Sequence, residues 1–211
     1  MAVVTQAKLL DIAVHEFGRK GLDGASTRGI AAAAGTAMSS ITYHYGGKEG
    51  LYLAAADHIA ARMGEAMAGL LGDGTEAEPA EARAAIKRIM AQLTDKMASD
   101  ESADSALFIV REQLAPSAAF DRIYAGLMGQ AAQRLADLIV IATGAGTRQA
   151  KITTVTFIGQ ALAIRASRAT VLRLLDIPSL DTDTVAALKA RILDNVDAIL
   201  TDLAAQQQEP Q

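Results

Sequence analysis

Val185, Leu188, Ile192, Val196, Ile199 and Leu203 step by three or four residues, forming one apolar stripe. That period belongs to one face of an α-helix and does not fit the two-residue alternation of a half-buried strand. The same spacing recurs near the other end of the chain, where Leu9, Leu10, Ala13, Val14 and Phe17 share a side. No stretch alternates apolar with polar residues in the manner of a strand. The chain is also rich in alanine and holds four Phe, four Tyr and no Trp. Alanine leads the helix scale, whereas aromatic and β-branched residues lead the strand scale. The pattern predicts an all-α protein.

Breaks in the pattern divide the chain into about nine helices. The first runs from about Val3 to Lys20, where Arg19 and Lys20 suit the negative end of the helix dipole and Gly21 supplies a left-handed closing residue. Two short helices follow. "TRGIAAAA" is capped by Ser26 or Thr27 and ended by Gly35, and "MSSITYH" is ended by Gly46 and Gly47. A fourth runs from Lys48 to about Leu71. "GDGTEAEP" is the clearest linker, and Pro79 suits the first turn of a fifth helix, about Ala80 to Ala98. "SALFIVREQL" makes the sixth, stopped by Pro116. The seventh opens at Ser117 and ends near Gly144, the eighth spans about Arg148 to Leu175, and the ninth about Thr182 to Ala205. The tail "QQQEPQ" reads as frayed.

Several classes of function are excluded. With no cysteine there is no disulfide, thiolate metal site or Cys nucleophile. The three histidines, His15, His44 and His58, are scattered, so no metal site is expected. There is no H-E-x-x-H motif and no phosphate loop, since the glycines of "TGAGT" follow a helix rather than a strand. No catalytic residue, metal or cofactor is therefore assigned, and the chain is not read as an enzyme. No apolar run approaches the length of a membrane span, and "MAVVTQAKLL" lacks the layout of a signal peptide. A cytoplasmic location is expected. The net charge of −4 argues against coating nucleic acid through bulk charge, but its distribution is uneven. Lys8, Arg19, Lys20, Arg28 and Lys48 stand against Asp11, Glu16, Asp23 and Glu49, a balance of +1 for residues 1–50 that leaves −5 for the rest.

Three short helices before a long one have the layout of a helix-turn-helix head on a helical body. Such a head needs a second helix that braces the third across a tight turn, and a third whose side chains meet base edges in a major groove. "STRGIAAAAGTAMSSITYHYGGKEG" meets these needs. Gly35 sits at the turn, and Ile30, Ala31 and Ala34 face inward while Thr27 and Arg28 face out. Ser39, Ser40, Thr42, Tyr43 and His44 give the third helix a hydrogen-bonding face. Lys48 stands at a helix N-terminus, where its charge opposes the dipole and a DNA phosphate would give it a reason.

These residues carry a resemblance. "LLDIAVHEFGRKGLDGASTRGIAAAAGTAMSSITYHYGGKEGLY" resembles the N-terminal domain of TetR-family transcriptional regulators. Phe17 and Gly21 match F-x-x-x-G. Thr27, Ile30, Ala31, Ala34 and Gly35 match T-x-x-x-I-A-x-x-A-G, and Ile41, Tyr43, Tyr45, Lys48, Glu49 and Leu51 complete the pattern. "REQLAPSAAFDRIYAGLM" further resembles the C-terminal domain of the CecR-like branch. Two departures from the family matter: Thr36 and Ala37 replace a frequent Val-Ser, and Met38 stands where Lys is common. The third helix contains no Arg, so guanine readout by Arg from it is impossible. Recognition is left to Ser, Thr, Tyr and His, with methyl contacts to thymine.

The expected DNA contacts are Thr27, Arg28, Ser39, Ser40, Thr42, Tyr43, His44 and Lys48. Tyr45 and Tyr52 are expected in the core, and His15 on the surface. The division expected is a DNA-binding domain over residues 1–50 and a helical ligand-binding and dimerisation domain over 51–211. In the latter, Arg111 and Glu112 are either a surface pair or polar groups of a ligand pocket, with Phe108, Tyr124, Met128, Phe157, Gln160 and Arg165 on the surrounding helices. The stripe on the last helix either closes the monomer core or, as the resemblance implies, joins the helix before it in a face, about residues 148–205, that pairs with its twin. The resemblance implies a homodimeric, ligand-responsive repressor whose partners are double-stranded operator DNA and a small-molecule effector of unknown identity. The reading it competes with is a helical ligand- or partner-binding protein without DNA binding.

Overall fold

A computed structural model of the chain describes residues 6–67 and 78–207, and among these the structure is helical with no strand. The expected start of the first helix, the end of the fourth, Gly72 to Ala77 of the linker and the last four residues of the tail lie outside the described residues.

The chain divides into two compact units. The first contains α1 (Gln6–Gly24), α2 (Thr27–Ala34), α3 (Met38–Tyr45), α4 (Lys48–Met67), α6 (Ala103–Leu114) and α7 (Ala118–Ile123). Its core joins Leu9, Ala13 and Phe17 of α1, Ile30 and Ala34 of α2, and Ile41 of α3. Leu51, Tyr52, Ala55 and Ile59 of α4, Phe108 of α6 and Ile123 of α7 belong to the same core. The compact unit around the three short helices thus extends beyond residue 50 and includes a hairpin far along the chain. Its closest seam runs between α1 and α6, where a Cβ on Gly18 would stand 2.7 Å from the Asp104 carbonyl oxygen. Gly21, with φ 72, interrupts α1 where the sequence places its end, and one irregular turn carries on to Gly24.

The second unit contains α5 (Pro79–Ala98), α8 (Gly129–Thr143), α9 (Thr147–Ala166), α10 (Arg168–Leu174) and α11 (Thr182–Gln206). Half of the α11 stripe, Ile192, Val196 and Leu203, is buried in this unit's own core with Leu200, Ile86, Met90, Leu138, Phe157 and Ala161, and Val185, Leu188 and Ile199 pack against that core half-buried.

Nine expected helices become eleven α-helical segments among the described residues because two of them break. The seventh is interrupted over Tyr124–Met128 by a widened turn, in which the Gly129 N–H bonds the Tyr124 carbonyl five residues back. Gly126 leaves helical geometry there, and a Cβ on it would come 3.1 Å from the Ala60 methyl. The eighth breaks at Ser167.

Candidate nucleic-acid interface

The helix-turn-helix is built by local capping chemistry. Ser26, not Thr27, caps α2: its Oγ accepts from the Gly29 N–H at 3.3 Å. At the other end Gly35 takes φ 68, and the Thr36 N–H reaches the Ala31 carbonyl at 2.9 Å. This closes a Schellman-type turn that aims the chain into α3. The departure at Ala37 has a structural result: as N-cap of α3 it offers no side-chain acceptor.

Ile41 is the one α3 residue buried in the head core, with Tyr45 half-buried beside it. The opposite side of α3 is open. Ser39, Thr42 and His44 are exposed, Ser40 is half-buried, and Tyr43 is 85% exposed with its ring edge-on to His44 at 5.0 Å. Arg28 is exposed and Thr27 half-buried at the start of α2. Tyr43 therefore faces out. Tyr52 is buried, its ring edge-on to Phe17 at 4.9 Å and stacked on Phe108 at 4.6 Å.

Lys48 has an intramolecular partner that local sequence does not reveal: its Nζ donates to the Asp23 carbonyl at 2.8 Å. This bond fixes the first turn of α4 against the end of α1. The junction is tight, since a Cβ on Gly50 would overlap the Tyr45 carbonyl oxygen. His15 is more than a surface group. Its Nδ1 lies 2.8 Å from Asp104 Oδ2, a tie between α1 and α6 that the 89-residue separation hides from the sequence.

The residues nominated for an effector fall in both units, and neither unit holds all eight. In the first, Phe108 is buried in the core. Arg111 donates to the Gly18 and Arg19 carbonyls at 3.4 and 3.1 Å, near the end of α1. Glu112, 3% exposed, accepts from the Tyr52 hydroxyl at 2.6 Å, from the Ser117 N–H and Oγ at 3.0 and 2.8 Å, and from the Phe120 N–H at 3.0 Å. Burial and then the Glu112 carboxylate hold the Tyr52 phenol above its ordinary pKa. Tyr124 is half exposed and stacked on Phe120, and Met128 is half-buried. In the second unit, Phe157 is core and Gln160 accepts from Asn195 Nδ2 at 2.9 Å. Arg165 is buried and donates to the Ser99 carbonyl, while its Nε has no hydrogen-bond partner among the described residues. Burial and then Arg168 lower the Arg165 pKa, against the pull of Asp100.

A braced helix with an outward hydrogen-bonding face, on a helical body, defines a helix-turn-helix regulator. Comparison with known proteins agrees. Residues 9–55 match the family described as bacterial regulatory proteins, tetR family, and residues 81–203 match the C-terminal domain of the HTH-type transcriptional dual regulator CecR. The chain belongs to the TetR family of transcriptional regulators. It is 32% identical over 209 residues to the HTH-type transcriptional dual regulator CecR of Shigella flexneri, across 94% of this chain and 93% of that one. Its fold is shared with a TetR-like transcriptional regulator from Rhodococcus sp. RHA1, at TM-score 0.63 and 20% identity over 94% of this chain and 97% of that one. It is also shared with the transcriptional regulator FadR of Bacillus subtilis in complex with stearoyl-CoA, at TM-score 0.63 and 16% identity over 89% and 95%.

Proposed function

We propose that the protein is a homodimeric, ligand-responsive repressor that acts in the cytoplasm and holds operator DNA through Thr27, Arg28, Ser39, Ser40, Thr42, Tyr43, His44 and Lys48. The observation that carries this reading is the exposed face of α3: a helix fixed by one buried side chain, Ile41, presents Ser39, Thr42, Tyr43 and His44 outward. Each subunit places this helix in a major groove, and a two-fold pair of heads requires half-sites about 34–36 Å apart. Residues 1–50 do the reading, while residues 51–211 hold the effector and pair with the twin. Lys48 serves both roles: bonded to the Asp23 carbonyl, it is pre-positioned at the N-terminus of α4, where a phosphate is favoured.

The pairing face is assigned to the outer side of α9 and its continuation. Ile152 and Val155 are 48% and 70% exposed there, and Gly159, Ala163 and Ala166 are exposed beside them. Since Bacillus subtilis FadR was crystallised in complex with stearoyl-CoA, acyl-CoA thioesters are the first effectors to screen. Binding to the folded state alone raises the melting temperature, and at about 100 times Kd it adds about 2.7 kcal/mol. The effector can bias DNA release only by its difference in affinity for the two states, about 1–3 kcal/mol in most such systems.

Gel shifts with DNA from upstream of the protein's own gene test the DNA reading. Affinity should fall as salt rises, through release of phosphate counterions. Tyr43→Ala should cost about 1 kcal/mol or more of binding with helix content intact. Lys48→Ala should weaken binding and lower the salt slope by about 1. Wild-type affinity in both variants, or binding indifferent to salt, removes the head from the interface.

A further inference from the structure

The exposed face of α3 lacks the long amide, guanidinium and carboxylate side chains that make the bidentate contacts to purines and the carboxylate contact to cytosine. It carries no Arg, Lys, Asn, Gln, Asp or Glu, so it can make neither the bidentate contacts to guanine or adenine nor the carboxylate contact to cytosine. What it offers instead is apolar. Met38, at the start of the helix, is 51% exposed. Thr42 lies one turn on, at the i+4 position on the same side, and is also exposed. The Thr42 hydroxyl is turned back on its own helix, donating to the Met38 carbonyl at 3.4 Å. That bond occupies the hydroxyl proton, which leaves Thr42 its methyl and an acceptor oxygen for an outside partner. Two apolar tips thus stand side by side on a helix whose other outward groups are hydroxyls, a phenol and an imidazole.

The base feature in a major groove that matches an apolar tip is the C5-methyl of thymine. We infer that Met38 and Thr42 form an apolar reading edge for thymine methyl groups, so that each operator half-site is defined at these positions by thymine rather than by guanine. This inference rests on the proposal that α3 lies in the major groove, and it names the base that the helix selects there. Tyr43, Ser39 and His44, on the adjoining part of the exposed arc, are left to hold backbone and hydroxyl-bonding groups. Such an edge also accounts for specificity in an α3 without Arg or Lys, since methyl burial depends on the base, whereas phosphate contact does not.

The test uses a duplex selected by the intact protein from a randomised pool, with each thymine then replaced singly by deoxyuridine. That change deletes only the C5-methyl. At one or two positions per half-site, wild-type affinity should fall about fourfold per methyl lost, and about fifteenfold when both half-sites are changed. Met38→Ala should abolish the discrimination at one such position. Thr42→Ser, which keeps the hydroxyl, should weaken binding at another, while Thr42→Val, which keeps the methyl, should retain it. If the selected duplex binds tightly and no deoxyuridine change matters, the edge does not exist. If the penalties persist undiminished in both Met38→Ala and Thr42→Ser, other residues make the contact and the inference is wrong. If no duplex is selected at all, the DNA-binding reading fails, and the inference fails with it. The deoxyuridine series itself uses the wild-type protein, so misfolding cannot imitate its result, and a variant counts only where its helix content and its binding to nonspecific DNA match the wild type.

Discussion

A buried carboxylate needs donors, and Glu112 has four, from Tyr52, Ser117 twice and Phe120. One oxygen holds the phenol of α4, and the other caps the first turn of α7, where the helix dipole favours a negative charge. Removing the carboxylate with Glu112→Ala takes the acceptor from the Tyr52 phenol, the Ser117 N–H and the Ser117 hydroxyl, at a cost of about 3 kcal/mol in urea unfolding. Glu112→Gln should cost less, because its amide oxygen can still accept from the α7 turn while its NH2 faces the phenol oxygen. Tyr52 supplies a pH signature. Its folded pKa is raised, so the stability it contributes is complete below the unfolded value of about 10 and is lost as pH climbs past it. The stability gap between wild type and Tyr52→Phe should therefore be constant at neutral pH and shrink above pH of about 10. A gap unchanged from pH 8 to beyond pH 11 would show that the phenol is not held in this way.

At the scale of elements, the seam between α1 and α6 is set by close backbone approach and closed by polar ties. Gly18 admits the Asp104 carbonyl at a distance no Cβ tolerates, Arg111 bonds two carbonyls of α1, and His15 bonds Asp104. Gly18→Ala should force α6 outward and cost about 1–3 kcal/mol, although alanine is the better helix former. Thermal unfolding that is unchanged or improved would mean the seam is not closed in solution. This seam also marks where the sequence stops being legible. The ends of α2 and α3 were readable, because Ser26, Gly35 and Gly46 act within a few residues of the backbone groups they satisfy. So was the outward aim of Tyr43, which the resemblance implied and which its exposure opposite the buried Ile41 matches. The bonds from Lys48 to Asp23, from Arg111 to Gly18 and from Tyr52 to Glu112 span 25 to 93 residues, and no local pattern records them. The widened turn at Tyr124–Met128 was hidden for a related reason. Its Gly126 lies close to the Ala60 methyl of α4, a contact 66 residues away that "YAGLMGQ" does not record.

For the whole molecule, the question is which apolar surface is committed within one chain and which remains for a second copy. The spacing of the α11 stripe suits either use, but Ile192, Val196 and Leu203 are buried in the subunit's own core, and Val185, Leu188 and Ile199 pack against it half-buried. Deleting α11 would therefore unfold the unit rather than separate a dimer, and is no test of pairing. Another side of α11 is charged: Asp194, Asp197 and Asp202 line a groove of about 840 Å³ with Lys87 of α5, and Lys87 pairs with Asp197 at 3.0 Å. The case of α9 differs. Phe157, Ala161 and Ile164 are buried on one side, and Ile152 and Val155 are bare on the other. A helix apolar on both sides is at home between two partners. Val155→Arg, at a site 70% exposed in the single subunit, should leave the subunit's own unfolding free energy within about 0.5 kcal/mol. It should nonetheless shift the protein from dimer to monomer in sedimentation. With the two heads no longer tethered, affinity for a paired operator should fall about a hundredfold or more, while affinity for an isolated half-site stays the same. If Val155→Arg still sediments as a dimer and binds the paired site as before, α9 is not the pairing helix. If it binds both probes more weakly by the same factor, the substitution has damaged the head rather than the tether.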